Sequence, residues 1–523
     1  MEAPESNRIG YAWLAERFAV VTLPYWRESR ALAKGVRRLV EKDGRQIEYF
    51  PAARDLGEDV FAHLEFALKR EGLHLELLRK VLPKLDAGEV TTHVRSKPTG
   101  RYARMIWWLY EEFTRTRLAL ADLEMGGYVD LLDEEIYVAG PVRKVRRQRI
   151  NENLLGSLEF SPMVRRKGLG DWNEEALRAR CSEIAADFPP EAFQRAIRYL
   201  YAKESKSSHE IERETPDQKR AEMFIGLLEQ AWHRSFLEKV ALVELQRAIV
   251  DPRYANDGWR REQVYVGETV GPGLERVHFA APKPENLGEL MEGFIAMARQ
   301  ITSTSEIRGR TLVFVEGVST LVAGSVVSFV FNFLHPFSDG NGRIHRFLLH
   351  HVLAERSFGP HGIILPVSAV ILNRPREYDQ ALESFSKPLM QLVEYTLDER
   401  QRMTVTNDTV DFYRYIDCTE LTRITVDFIR ETIETELPAE LQYLASYDEI
   451  RRKMRDIVEL PDRIADLFVK LCRQNHGTLS KGKRKLEEFA RLTDGEIQAL
   501  ENVVREGLGL QGDTDALGDE LRN

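Results

Sequence analysis

The stretch "TLVFVEGVSTLVAGSVVSFVFNFL" (311–334) constrains this chain more than any other. An apolar run of that length has to be hidden, either in a bilayer or in a protein core. Glu316, Gly317 and Asn332 interrupt it, and no Trp or Tyr belt flanks it, so the expected form is a buried core helix preceded by a short strand. Pro336 disfavours a helical His335, so the helix should stop there and present the histidine at a helix-to-loop junction.

The segment after this helix is chemically dense. Residues 335–346 read "HPFSDGNGRIHR". Gly340, Asn341 and Gly342 form a turn whose successive backbone N–H groups can converge on an anion. Ile344, Phe347, Leu348, His351 and Val352 then recur at helical spacing, so the turn feeds a helix N-terminus, where the dipole also favours negative charge. Arg343 and Arg346 lie one turn apart and can face one ligand. A polyphosphate satisfies that arrangement. Asp339 is then placed for a Mg²⁺ ion bridging phosphate oxygens, and His335 for taking a proton from an attacking hydroxyl. A metal-hydrolase reading built on His335, Asp339, His345, His350 and His351 is weaker. Its spacing matches no common zinc pattern, and it gives the arginines no role.

Around this segment the chain reads as mainly α, in three regions: a mostly helical one over 1–170, a central one over 171–405 and a helical one over 406–523. Helical periodicity marks 59–85, 101–120, 173–188, 191–214, 422–437, 448–458, 461–475 and 493–508, the last opened by a Thr493/Glu496 capping box. The polar tail 511–523 is expected to fray. Short β-prone runs around Val264–Val266 and Val277–Phe279 flank Gly271-Pro272-Gly273 and read as a hairpin. A net charge of −9 disfavours wholesale nucleic-acid binding. The basic run 142–150 and Arg165-Arg166-Lys167 are better read as a solvated face or a local ion-pair network. Cys181, Cys418 and Cys472 fit no metal or redox spacing, and residues 1–10 lack a secretory leader pattern. These two features make a reduced, cytoplasmic protein the expectation.

The 335–346 stretch resembles the signature of the Fic (filamentation induced by cAMP) family, HxFx(D/E)GNGRxxR. His335, Phe337, Asp339, Gly340, Asn341, Gly342, Arg343 and Arg346 all match. The resemblance covers roughly 190–400 and implies an all-α core with a small hairpin flap. It implies transfer of AMP from ATP to a Ser, Thr or Tyr hydroxyl of a target protein, with Mg²⁺. His335 would be the general base and Asp339 the metal ligand. Gly340, Asn341 and Gly342 would form the anion nest, while Arg343 would steady the phosphates and Arg346 bind the γ-phosphate. Val264, Tyr265, Val266 and Gly267 resemble the flap, which would cover the nucleotide and dock the target. Tyr378 in "REYDQAL" would sit in the base pocket, with Asp379 where a second aromatic is common. "KSSHEIERE" (206–214) resembles the family's inhibitory helix, (S/T)xxxE(G/N). Ser208 and Glu212 would share a helical face and Glu212 would pair with Arg346, although Arg213 replaces the usual Gly or Asn.

Other functions keep parts of this reading. The same site could remove AMP or use another nucleotide. The chain could also be a non-catalytic regulatory or nucleic-acid-binding module. No membrane partner is expected, and a homo-oligomer is compatible with the sequence.

Overall fold

In the computed structural model, the residues described are 6–510 except 43, 188–189, 215–217, 272–273, 304, 309–310 and 315–316. Pro272-Gly273 of the hairpin turn, Glu316 and the 511–523 tail lie outside them.

The apolar run forms a strand, Thr311–Phe314, paired with Ser305–Arg308, and then a helix, Thr320–Leu334. Ser319 caps this central helix by accepting from the Val322 N–H at 3.4 Å. Every residue of the helix except Asn332 is buried. Among the described residues, no helix is long and apolar enough to cross a membrane. The run is hidden by protein: helices Pro284–Thr302, Asn341–Glu355 and Thr419–Glu431 pack around it. Gly324 sets the approach of Asn341–Glu355, because a Cβ there would lie 3.0 Å from Leu349 Cδ1.

The architecture is mainly α, as expected. One continuous hydrophobic core runs from Val138 to Leu441, across the boundaries expected near 170 and 405, and it includes Ile424 and Phe428 of Thr419–Glu431. Smaller cores lie on either side, one from Tyr11 to Leu158 and one from Ile450 to Val504. The N-terminal region adds to its helices a sheet that helical periodicity does not anticipate. Its order is Ser6–Ile9, Arg27–Leu32, Arg45–Phe50, Arg38–Lys42, with the inner pair parallel. These strands hold four to six residues each and carry charges throughout, too short a pattern to stand out from loop. The 59–85 periodicity resolves into two helices, Val60–Arg70 and Leu75–Val81, separated where Gly72 takes φ +97°.

Part of each basic run is paired with acids. Arg143 pairs with Glu152, Arg147 lies 3.0 Å from Glu111, and Arg165 lies 3.1 Å from Asp417. The three cysteines are buried and unbridged. The Thr493/Glu496 capping box is present.

The long helix Pro190–Ile211 lies against Val367–Asn373, Gln218–Gln230 and Leu437–Ile457. It runs toward the N-terminal end of Asn341–Glu355, and that convergence creates the site. Since the central helix is the floor of this arrangement, Phe331→Ala, at a side chain with 0% exposure, should destabilise the central unit by about 3–5 kcal/mol in denaturant unfolding.

Candidate active site

The central helix ends on His335, whose backbone turns left-handed (φ 48°, ψ 57°) while its N–H still bonds Phe331 O at 3.0 Å. That conformation costs a non-glycine residue roughly 1–2 kcal/mol. Pro336 then bars further helix. Phe337 is fully buried and anchors the loop. Asn341 closes it reciprocally, donating from Nδ2 to Phe337 O at 2.8 Å and accepting from Phe337 N–H on Oδ1 at 3.1 Å. The Asn341 side chain is therefore committed to loop closure, and only backbone N–H groups remain to face an anion. Gly340 starts the next helix at φ +87°, a position that favours glycine.

The half-buried His335 ring places Nδ1 3.2 Å from Asn332 O. A carbonyl only accepts, so Nδ1 carries the proton and Nε2 keeps its lone pair. Burial, and then the nearby Arg260 charge, push the imidazole pKa down to about 4, so the ring is neutral at pH 7.

Two arginines of Asn341–Glu355 point away from solvent. Arg343 is 0% exposed and Arg346 is 3% exposed. Arg346 donates to Ser208 Oγ at 2.8 Å, to Ser208 O at 2.7 Å and to Glu212 Oε1 at 2.7 Å. Arg343 is ringed by three carboxylates: Glu212 at 3.0 Å, Glu214 at 3.1 Å and Asp339 at 3.4 Å. Glu212 thus bridges both guanidiniums, where the sequence assigned it only to Arg346. Glu214 is a partner that sequence reading missed, although the acidic alternation in "EIERE" carried the signal. The carboxylate also lies on the helix N-terminus. A Cβ on Gly342 would fall 2.2 Å from Glu212 Oε1, so only glycine admits it.

Ser208 and Glu212 face the same side, both toward Arg346, but Glu212 lies just past the helix end. The helix ends at Ile211, and Glu212 sits in the turn beyond it. Its N–H bonds His209 O at 3.0 Å, and Arg213 turns left-handed at φ +58°. This is the position where the family pattern has Gly or Asn, the residues that tolerate such a φ. Arg213 adopts the conformation without the favourable residue type.

The remaining histidines do not assemble a metal site. His345 bonds Ser328 Oγ at 2.6 Å and Tyr378 Oη at 3.0 Å. His350 pairs with buried Glu204 of the long helix at 2.9 Å. His351 accepts from Phe236 N–H at 3.3 Å. Among the described residues no group of three or more His, Cys, Asp or Glu could hold a metal ion. Inside the core, His345, His350 and His351 are engaged instead by Ser328, Tyr378, Glu204 and backbone groups of Phe236 and Ala231. The chemistry of Asp339 is compatible with Mg²⁺, which needs only one or two carboxylates beside substrate phosphates. Its Oδ1 accepts the Gly340 N–H at 2.6 Å, and its side chain is 39% exposed.

The hairpin forms from Tyr265–Gly271 and Leu274–Ala280, antiparallel, with irregularities at Val266/Gly267 and Thr269/Gly271. Val264 precedes it and accepts the Ala281 N–H at 3.2 Å. Gly267 has no room for a side chain, since a Cβ would meet Arg276 O at 2.6 Å. Val266 and Leu274 are exposed, and the two-stranded sheet is its own edge on both sides. Tyr378 is 7% exposed, with its hydroxyl bonded to His345, so it is packed in the core near Arg346. Asp379 is at the surface, yet partial burial, and then the Glu383 charge, raise its pKa against the opposing charges of Arg213 and His278. Sequence reading also missed the segment 256–262, which lies along the signature loop. Asn256 accepts the Ser338 N–H at 3.2 Å, and Glu262 accepts from Ser338 Oγ at 2.9 Å.

Residues 236–353 match the family model of the Fic/DOC family. That range holds the hairpin and the whole 335–346 stretch, while Ser208, Glu212 and Tyr378 lie outside it. Fic-domain proteins generally transfer AMP or other nucleotides to proteins. Among solved structures, the chain is similar to a Fic family protein from Desulfovibrio desulfuricans G20. The two are 17% identical with a TM-score of 0.34, over 65% of this chain and 84% of that one. It is similar also to a Fic domain containing signaling protein from Bacteroides thetaiotaomicron VPI-5482, 17% identical with a TM-score of 0.34, over 52% and 97%. No curated protein matches the chain.

Glu212 neutralises two buried cations at once. Replacing it with Gln should lower the stability of the nucleotide-free protein by about 1.5–3 kcal/mol, read as a lower midpoint in denaturant.

Proposed function

We propose that this chain is a protein adenylyltransferase held in an inhibited state by its own Glu212. The observation that carries the reading is the pair of buried guanidiniums, Arg343 and Arg346, at a helix N-terminus. They are occupied by a carboxylate and lie within one turn of a loop bearing a neutral, left-handed histidine. Two such cations need an anion, and Glu212 supplies it in the absence of a triphosphate.

In the proposed reaction the target hydroxyl oxygen attacks the α-phosphorus of ATP. The bond from that phosphorus to the β-phosphate oxygen breaks, and diphosphate leaves. His335 Nε2 takes the hydroxyl proton, a role its Nδ1–H contact with Asn332 O leaves open. Arg343 and Arg346 bind the phosphates, and the backbone N–H groups at Gly340–Gly342 line the same anion site. Asp339 would hold Mg²⁺, which when bound neutralises phosphate charge. An extended segment of the target would add to the exposed edge of the hairpin, as strand addition requires. Glu212 holds both arginines, so a triphosphate and the carboxylate compete for them.

The test uses ATP labelled on the α- or the γ-phosphate. Glu212→Gly should incorporate α-label at least tenfold faster than wild type, and His335→Ala in that background should lose it by about 10²–10⁴-fold. Incorporation of γ-label, or no gain in Glu212→Gly, would overturn the proposal.

The His335 environment also sets a pH dependence. Its pKa is lowered to about 4 from 6.5, so the base form persists below pH 6 and is lost only as pH falls toward 4. In Glu212→Gly, kcat/KM for ATP at pH 6 should stay within about twofold of its value at pH 7.5, whereas an unshifted imidazole would lose about three quarters.

A further inference from the structure

We infer that Arg260 is the positioning residue of this site: one buried guanidinium fixes the backbone of His335 and ties both roots of the hairpin to it. The inference rests on the proposed transfer of AMP.

Arg260 is 3% exposed. Its Nε donates to His335 O at 2.8 Å, one terminal nitrogen to Glu262 O at 2.7 Å and the other to Pro282 O at 2.6 Å. Its backbone N–H donates to Pro336 O at 2.9 Å. Glu262 leads into the strand Tyr265–Gly271, and Pro282 comes after the strand Leu274–Ala280, so the side chain joins the two feet of the hairpin. Neither His335 nor Pro336 lies in a helix or strand that would satisfy its carbonyl. A planar fork presents its donors on three separate nitrogens and so spans carbonyls set apart around it, whereas an ammonium gathers its three N–H groups on one atom.

The charged groups that face His335 are Arg260, from this segment, and Glu212, from the turn after the long helix. Arg260 opposes protonation of the ring and Glu212 favours it. Arg260 therefore has two separable contributions, the geometry of the loop and the charge beside the base. A residue that merely filled the core would have neither.

The experiment uses the full chain with Glu212→Gly as parent, and adds Arg260→Met or Arg260→Lys. The readouts are self-labelling from α-labelled ATP at saturation, the ATP Kd by calorimetry, and the His335 titration midpoint. The midpoint is tracked by NMR of ring-labelled histidine and assigned with His335→Ala. Arg260→Met should raise the midpoint by about one pH unit and cut self-labelling at least tenfold, with the ATP Kd within twofold. Arg260→Lys should keep the midpoint near that of the parent, because the charge is retained. It should still lose several-fold in rate, because the three carbonyls are no longer spanned. An unmoved midpoint with a rate within twofold of the parent in Arg260→Met overturns the inference. If that variant does not fold, a parental rate in Arg260→Lys overturns it instead. If the parent itself transfers no AMP, the transfer reading falls, and the midpoint in Arg260→Met alone decides the positioning role.

Discussion

Everything at this site depends on one carboxylate lying between two guanidiniums that are almost wholly buried. Arg343 and Arg346 are held in place by the helix they start, and that helix is packed along the central apolar helix. Neither charge can be left bare in such surroundings without a cost of several kcal/mol. Glu212 meets the need from outside, touching Arg343 at 3.0 Å and Arg346 at 2.7 Å. On the proposed reading, a phosphate would take the same two contacts. Stability of the resting protein and readiness to bind a polyanion are therefore two readings of one arrangement, and a change to Glu212 acts on both.

The apolar run explains why the arrangement is rigid. With all but one residue of Thr320–Leu334 buried, the end of that helix is fixed, and so is the point at which His335 leaves it. Asn341 then closes the loop on Phe337, and Gly340 and Gly342 leave room where a side chain would collide with Val250 or Glu212. His335, turn and arginines thus inherit their spacing from packing rather than from one another.

What was legible in the sequence divides along the same line. The 335–346 stretch could be read because its chemistry is local: residue types and spacing within twelve positions define a loop and a helix start. The apolar run and the hairpin could be read from pattern alone. The contacts that were not legible join residues far apart in the chain. Arg260 reaches His335 across 75 positions, and Glu204 reaches Ser368 across 164. An arginine or glutamate on a polar-looking stretch carries no mark of its distant partner. Glu214 was hidden differently, as one acid among several in a charged segment. The N-terminal strands were too short and too charged to separate from loop.

On the proposed reading of Glu212 as a restraint, the end of the long helix decides what kind of restraint it would be. The helix itself is anchored along its length. Lys203 lies 2.7 Å from both Glu436 and Glu440, Glu204 pairs with His350 at 2.9 Å and bonds the Ser368 N–H at 3.0 Å, and Ser208 is held by Arg346. Glu212 and Glu214 lie beyond Ile211, after the last helical turn, on either side of the left-handed Arg213. Their position depends on a short turn with its own hydrogen bonds to His209 and Glu210. Glu212 and Glu214 are therefore carried by that turn rather than by the anchored helix itself. A mutation that loosens the helix at Glu204 breaks a buried ion pair and disturbs the core. On the proposed reading, a change confined to the turn would free the same two cations for another anion, and that difference would separate loss of restraint from loss of fold.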